Sequence, residues 1–128
     1  MLTFLFPQKK RFFSLVFIER DRASRATKAY LNGPYMFNRK QDALHALWLY
    51  VKGRLDGVRD LFVEDACGLG VDLLKFTADN DEPISYDEFE AVVSSVNSRQ
   101  IEGIVNWYFD VMDDDLCECW FDLSEHVI

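Results

Sequence analysis

A chain of 128 residues with 49% hydrophobic and 15% aromatic side chains has the size of one domain and enough apolar material to build a core, which excludes an intrinsically disordered protein. Its net charge of −8 argues against direct nucleic-acid binding, because an acidic body repels a polyanion. No apolar run approaches the ~20 residues needed to cross a bilayer, so no membrane partner is expected.

The apolar start, Met1 to Phe6, precedes its charges at Lys9, Lys10 and Arg11, the reverse of a secretory signal. Three cysteines, Cys67, Cys117 and Cys119, lack the spacing of a disulfide framework and suit a reducing compartment. Both features predict a cytoplasmic protein, and the length predicts a single domain, residues 1–128.

Residues 11–18, Arg-Phe-Phe-Ser-Leu-Val-Phe-Ile, are aromatic and branched and read as a strand, and a second short strand is predicted from Thr27 to Leu31. Asn32-Gly33-Pro34 then demands a turn. Asn38 and Gln41 have capping-box spacing, and Leu44, Leu47, Trp48, Val51 and Leu55 follow on one stripe, so a helix is predicted over 39–56 with Gly57 as a left-handed terminator. Two glycines interrupt the apolar face between Val58 and Phe76, which predicts broken helix.

Ser85 and Glu88 form a second capping-box pattern, opening a helix with Phe89, Val92, Val93 and Val96 turned inward and its end near Asn97. Residues 99–112 carry two conflicting patterns. Ile101, Ile104, Val105, Tyr108 and Met112 suit a helix, whereas Val105, Trp107, Phe109 and Val111 alternate as in a strand. The composition favours a strand, and after Asp113-Asp114-Asp115 the alternation resumes through Cys117, Cys119, Phe121 and Leu123, giving a hairpin with an acidic turn. The predicted fold is α+β: a small antiparallel sheet of N- and C-terminal strands, packed against two to three helices. Its dry face would hold Phe13, Leu15 and Phe17 or their alternates, with Cys119, Phe121 and Leu123.

Candidate chemistry is sparse. The stretch from Asp79 to Phe89 resembles the second half of an EF-hand calcium loop: with Ile84 at position 8 and Glu88 at position 12, Asp79, Asp81 and Ser85 fall at positions 3, 5 and 9. Thr77, however, stands where that family has Asp, and Glu82 where it has Gly, so the stretch reads as an acid-rich helix start. Cys117, Cys119 and His126, with Cys67, could offer soft ligands to zinc, but strand alternation explains the first two as inward-facing residues. Cys67 has acids around it (Glu64, Asp65, Asp72), the wrong surround for a reactive thiolate. No catalytic residue, metal or cofactor is therefore expected.

Charge is the remaining signal. Residues 1–40 hold nine Lys or Arg against two acids, a net of +7, and residues 41–128 hold five bases against twenty acids, a net of −15. Either the two poles meet and neutralise, or the acidic part docks on a basic surface. The second reading implies a non-catalytic inhibitor, a cytosolic immunity protein covering a basic, nuclease-type toxin. The partner-binding residues would be Asp113, Asp114, Asp115, Glu118, Asp122 and the exposed one of Trp107 or Trp120. The alternatives are an acidic DNA mimic that blocks a restriction or other defence enzyme, and a small enzyme with a site near His45 or Cys67.

Overall fold

The computed structural model describes residues 10–23, 27–29, 35–73 and 83–128. The chain divides into two compact units, Met1–His45 with Phe109–Ile128, and Ala46–Tyr108. The predicted turn at Asn32-Gly33-Pro34 lies outside the described residues.

The first unit contains an antiparallel sheet whose central strand is β1 (Arg11–Asp21). Along its whole length β1 pairs with β4 (Cys117–Val127), from Arg11 opposite Val127 to Asp21 opposite Cys117. The short strands β3 (Tyr35–Phe37) and β2 (Thr27–Ala29) pair with opposite ends of β1, at Phe13 to Leu15 and at Glu19 and Arg20, with an irregularity between the last two. The α+β class and the union of N- and C-terminal strands agree with the sequence reading; β3 was not expected.

Alternation sorts the side chains of β1 and β4 into two faces. Leu15, Phe17, Glu19, Cys117 and Cys119 are buried on one, where Phe109 meets Phe17 edge-on at 6.3 Å and Phe121 at 5.0 Å between ring centroids. This is the dry face expected from Leu15, Phe17 and Cys119. Phe12, Ser14, Val16, Ile18 and Arg20 share the other face with Glu118, Trp120, Asp122, Ser124 and His126, and none of these is buried.

Helix α1 (Lys40–Lys52) buries Leu47, Trp48 and Val51 of the expected stripe together with Ala43, which lay outside it, while Leu44 is only half-buried and Leu55 is buried beyond the helix. Its ladder opens with Ala43 N–H to the Arg39 carbonyl, and it ends at Lys52, four residues before the predicted end. Gly57 does not terminate it, since that glycine sits in a 3-10 turn, Leu55–Val58. The expected broken helix follows as α2 (Arg59–Asp65) and a second 3-10 turn, Cys67–Leu69. Gly70, at φ 79°, is the left-handed residue: its N–H reaches the Cys67 carbonyl and Val71 N–H reaches that of Ala66, a Schellman closure.

Helix α3 (Tyr86–Ser94) starts on the predicted capping box, with Glu88 N–H donating to Ser85 Oγ at 3.1 Å and Ser85 N–H to Glu88 Oε1 at 3.0 Å. In this unit Phe62 meets Phe89 and Trp107 edge-on, and Arg59 lies over the rings of Tyr86 and Phe89 while pairing with Asp56.

The predicted hairpin over 99–123 is incorrect in its first arm. Ser98–Met112 form helix α4, capped by Asn97, whose Oδ1 accepts from Arg99 N–H and whose N–H donates to Gln100 Oε1. Ile104, Val105, Tyr108 and Phe109 are buried, the spacing of a helical stripe, while Trp107 and Val111 are only half-buried. A strand would have placed Val105, Trp107, Phe109 and Val111 on one face.

Candidate partner-binding site

The connection from α4 to β4 is built by two of the acids expected to face a partner. Asp114 Oδ1 accepts the N–H groups of Leu116 (2.8 Å) and Cys117 (2.7 Å), and its own N–H donates to the Cys117 carbonyl. Asp113 Oδ1 accepts Cys119 N–H at 3.0 Å and pairs with Arg22 Nη2 at 2.6 Å, while Arg22 Nε donates to the Asp114 carbonyl. Asp113 and Asp114 are therefore engaged in holding the first turn of β4, and Asp115 is exposed beside them.

We expect Asp113→Ala and Asp114→Ala each to cost about 1 kcal/mol, from lost caps of backbone N–H groups and, for Asp113, a solvent-screened ion pair. Asp115→Ala should stay within about 0.5 kcal/mol of the parent. Urea melts of the three variants check this, and equal stabilities would show that the turn does not depend on these carboxylates.

Glu118, half-buried on the open face of the sheet, accepts from Arg20 Nε across the strand pair and from Trp120 Nε1 at 3.1 Å. The Arg20 hydrogen bond, reinforced by that from Trp120, lowers the Glu118 pKa below the ordinary carboxylate value. A depressed folded-state pKa favours the native state at neutral pH, and that contribution disappears as the pH falls through the ordinary carboxylate range to the lowered value. In an NMR titration the Glu118 carboxyl carbon should have a midpoint below the ordinary range, and Arg20→Gln should move it up. A midpoint in the ordinary range in the parent would contradict the bond.

Trp120, opposite Ile18, is 41% exposed with its indole nitrogen fixed by Glu118. Asp122, two residues on, accepts from the Ser124 hydroxyl at 3.1 Å. Trp107 belongs to the other unit and is held there by its Nε1 bond to Asp65 Oδ2 at 2.7 Å and by the Phe62 ring. The exposed member of the Trp pair is Trp120. Not foreseen from the sequence was Arg22, the cation that ties Asp113 and the Asp114 carbonyl to the end of β1, because only the pairing of β1 with β4 brings residues 22 and 113 together.

The zinc ligands do not converge. Cys117 and Cys119 are buried on the dry face, whereas His126 is on the opposite face, stacked on Phe12 at 4.7 Å with Nε2 hydrogen-bonded to the Ser14 hydroxyl. Burial, aided by the Glu19 carboxylate, pushes the Cys119 thiol up, so it remains protonated. Among the described residues no three His, Cys, Asp or Glu side chains are placed to hold a metal ion. In the calcium-like stretch Glu88 and Ser85 cap α3, while Thr77, Asp79, Asp81 and Glu82 lie outside the described residues.

Cys67 is exposed beside a cleft of about 440 Å3 lined by Val63, Gly70, Val71, Asp72 and Leu73, in a unit whose sequence holds no histidine.

The charge poles largely cancel within the first unit. Strand pairing joins Arg11 to Glu125 at 3.5 Å and Arg20 to Glu118, and Arg22 meets Asp113. Met1–His45 with Phe109–Ile128 hold nine bases and ten acids, a net of −1, while Ala46–Tyr108 hold five bases and twelve acids, a net of −7. Most of the protein's negative charge is therefore in residues 46–108, away in sequence from the predicted acidic triplet. Among the described residues no helix is long and apolar enough to cross a membrane. No family model, curated protein or solved structure matches the chain.

Proposed function

We propose that this protein is a non-catalytic inhibitor that acts by binding, an immunity-type cytoplasmic protein that covers a basic, nuclease-type toxin. The observation that carries the reading is Trp120: a large aromatic side chain, 41% exposed, whose orientation is set in advance by Glu118, itself held by Arg20. An exposed indole fixed before binding loses little freedom on contact, and buried tryptophans dominate interface energies. The net charge of −8 favours a basic partner and speeds encounter with it.

The test is capture from the source cells at low salt on immobilised chain, parent beside Trp120→Ala. A basic protein retained by the parent, released by moderate salt and absent from the variant supports the proposal. Retention indifferent to both salt and Trp120, or no retained protein, overturns it.

A further inference from the structure

The ladder between β1 and β4 is framed by Arg22 N–H to the Leu116 carbonyl and Ile128 N–H to the Lys10 carbonyl, with an unbroken register between them. In an antiparallel pair alternate residues exchange both hydrogen bonds, so the even-numbered residues of β4 turn their backbone groups toward β1 and the odd-numbered ones turn theirs outward. The first two outward N–H groups, of Cys117 and Cys119, are covered by the Asp114 and Asp113 carboxylates. Among the described residues nothing pairs with the outward N–H and C=O groups of Phe121, Leu123 and Glu125.

A sheet edge of this length whose backbone groups have no partner among the described residues is a template for one more strand. The side chains beside it select the strand. Even-numbered positions are closest to an added neighbour, because they form its non-hydrogen-bonded pairs, and there Trp120 offers its ring and Asp122 a carboxylate that pairs with no cation among the described residues. On the other face the neighbours are the half-buried Phe121 and Leu123.

We propose that the outward edge of β4, from Phe121 to Glu125, accepts an extended segment of the partner protein, antiparallel to β4, in which Lys or Arg alternate with apolar residues. The bases lie along Trp120 and Asp122, and the apolar residues continue the face of Phe121 and Leu123. The inference deepens the inhibitory reading and rests on it, since it names how a basic partner is held.

The experiment is amide hydrogen exchange on the full chain with a short synthetic peptide alternating Lys with Val. In the free chain the amides of Trp120, Asp122 and Ser124 should be protected and those of Phe121, Leu123 and Glu125 should exchange freely. Saturating peptide should slow the latter three about tenfold or more. A Glu–Val peptide, and a Lys–Val peptide N-methylated on every amide so that neither edge can pair, should leave them unchanged. Glu125→Pro, which removes an outward donor at an exposed position, should weaken the effect while the β1–β4 amides stay protected.

Protection by the methylated peptide as well, or none with any peptide, overturns the proposal. So does protection that grows with protein concentration alone, which would make a second copy of this chain the occupant. A captured partner that requires Trp120 but leaves these three amides exchanging would sink the edge inference and leave the inhibitory reading standing.

Discussion

Replacing Phe109 with alanine is expected to destabilise the β1–β4 unit by about 3–5 kcal/mol, the usual cost of removing a buried phenylalanine. The ring is 4% exposed and joins Phe17 and Phe121, one residue from each long strand, to the last turn of α4. Domains of this size are stable by only about 5–15 kcal/mol, so much of the reserve would be lost. Val111→Ala, at a half-buried position two residues on, should cost about 1 kcal/mol or less. Thermal melts by circular dichroism separate the two, and equal losses would fit a strand with both side chains on one face and contradict the helix.

That contrast marks where the sequence was legible and where it was not. Ser85 and Glu88 announced α3 because a capping box is a local signal that needs no tertiary contact. Asn38 and Gln41 have the same spacing, yet the helix there starts only at Lys40, whereas at Asn97 the Gln100 side chain takes the cap N–H and the Asn97 side chain accepts from Arg99 N–H. Residues 105–111 misled because aromatic and branched side chains give strand propensity and because Val105 and Phe109 belong to both the alternating and the helical pattern. Burial of Tyr108 decides for the helix, and burial is a tertiary fact. The short strand β3 had too few residues to show a period.

Trp120→Ala should weaken the complex with the captured partner by about 2–4 kcal/mol, roughly 30- to 1000-fold in Kd, chiefly through faster dissociation. Its effect on folding should be small, about 1 kcal/mol, since the exposed ring gives up its solvent-accessible bond to Glu118 and its place opposite Ile18. Trp107→Phe, which removes the bond to Asp65, should leave affinity unchanged. Surface-immobilised binding with a parallel melt for each variant separates lost contact from lost fold, and an unchanged Kd for Trp120→Ala would remove the anchor from the account.

The site was half legible. Aromatic abundance and the acids of 113–122 pointed to β4, and one of the two named tryptophans is exposed there. The sequence could not show that β1 would lie on β4 in the register that spends Glu118 on Arg20 and Glu125 on Arg11, or that Asp113 would bind Arg22. Part of what looks like a docking field along the chain becomes ion pairs once the ends meet, while the net −7 of residues 46–108 is not spent in them. The backbone edge was invisible for the same reason, because which amides of β4 point outward depends on register and not on residue type.

The most direct test of the inhibitory account is to titrate the purified basic partner with this chain while following the partner's nuclease activity. Activity should fall in proportion to added chain and approach zero near one equivalent, with Trp120→Ala requiring a large excess. Full activity of the partner in a saturated complex would contradict it.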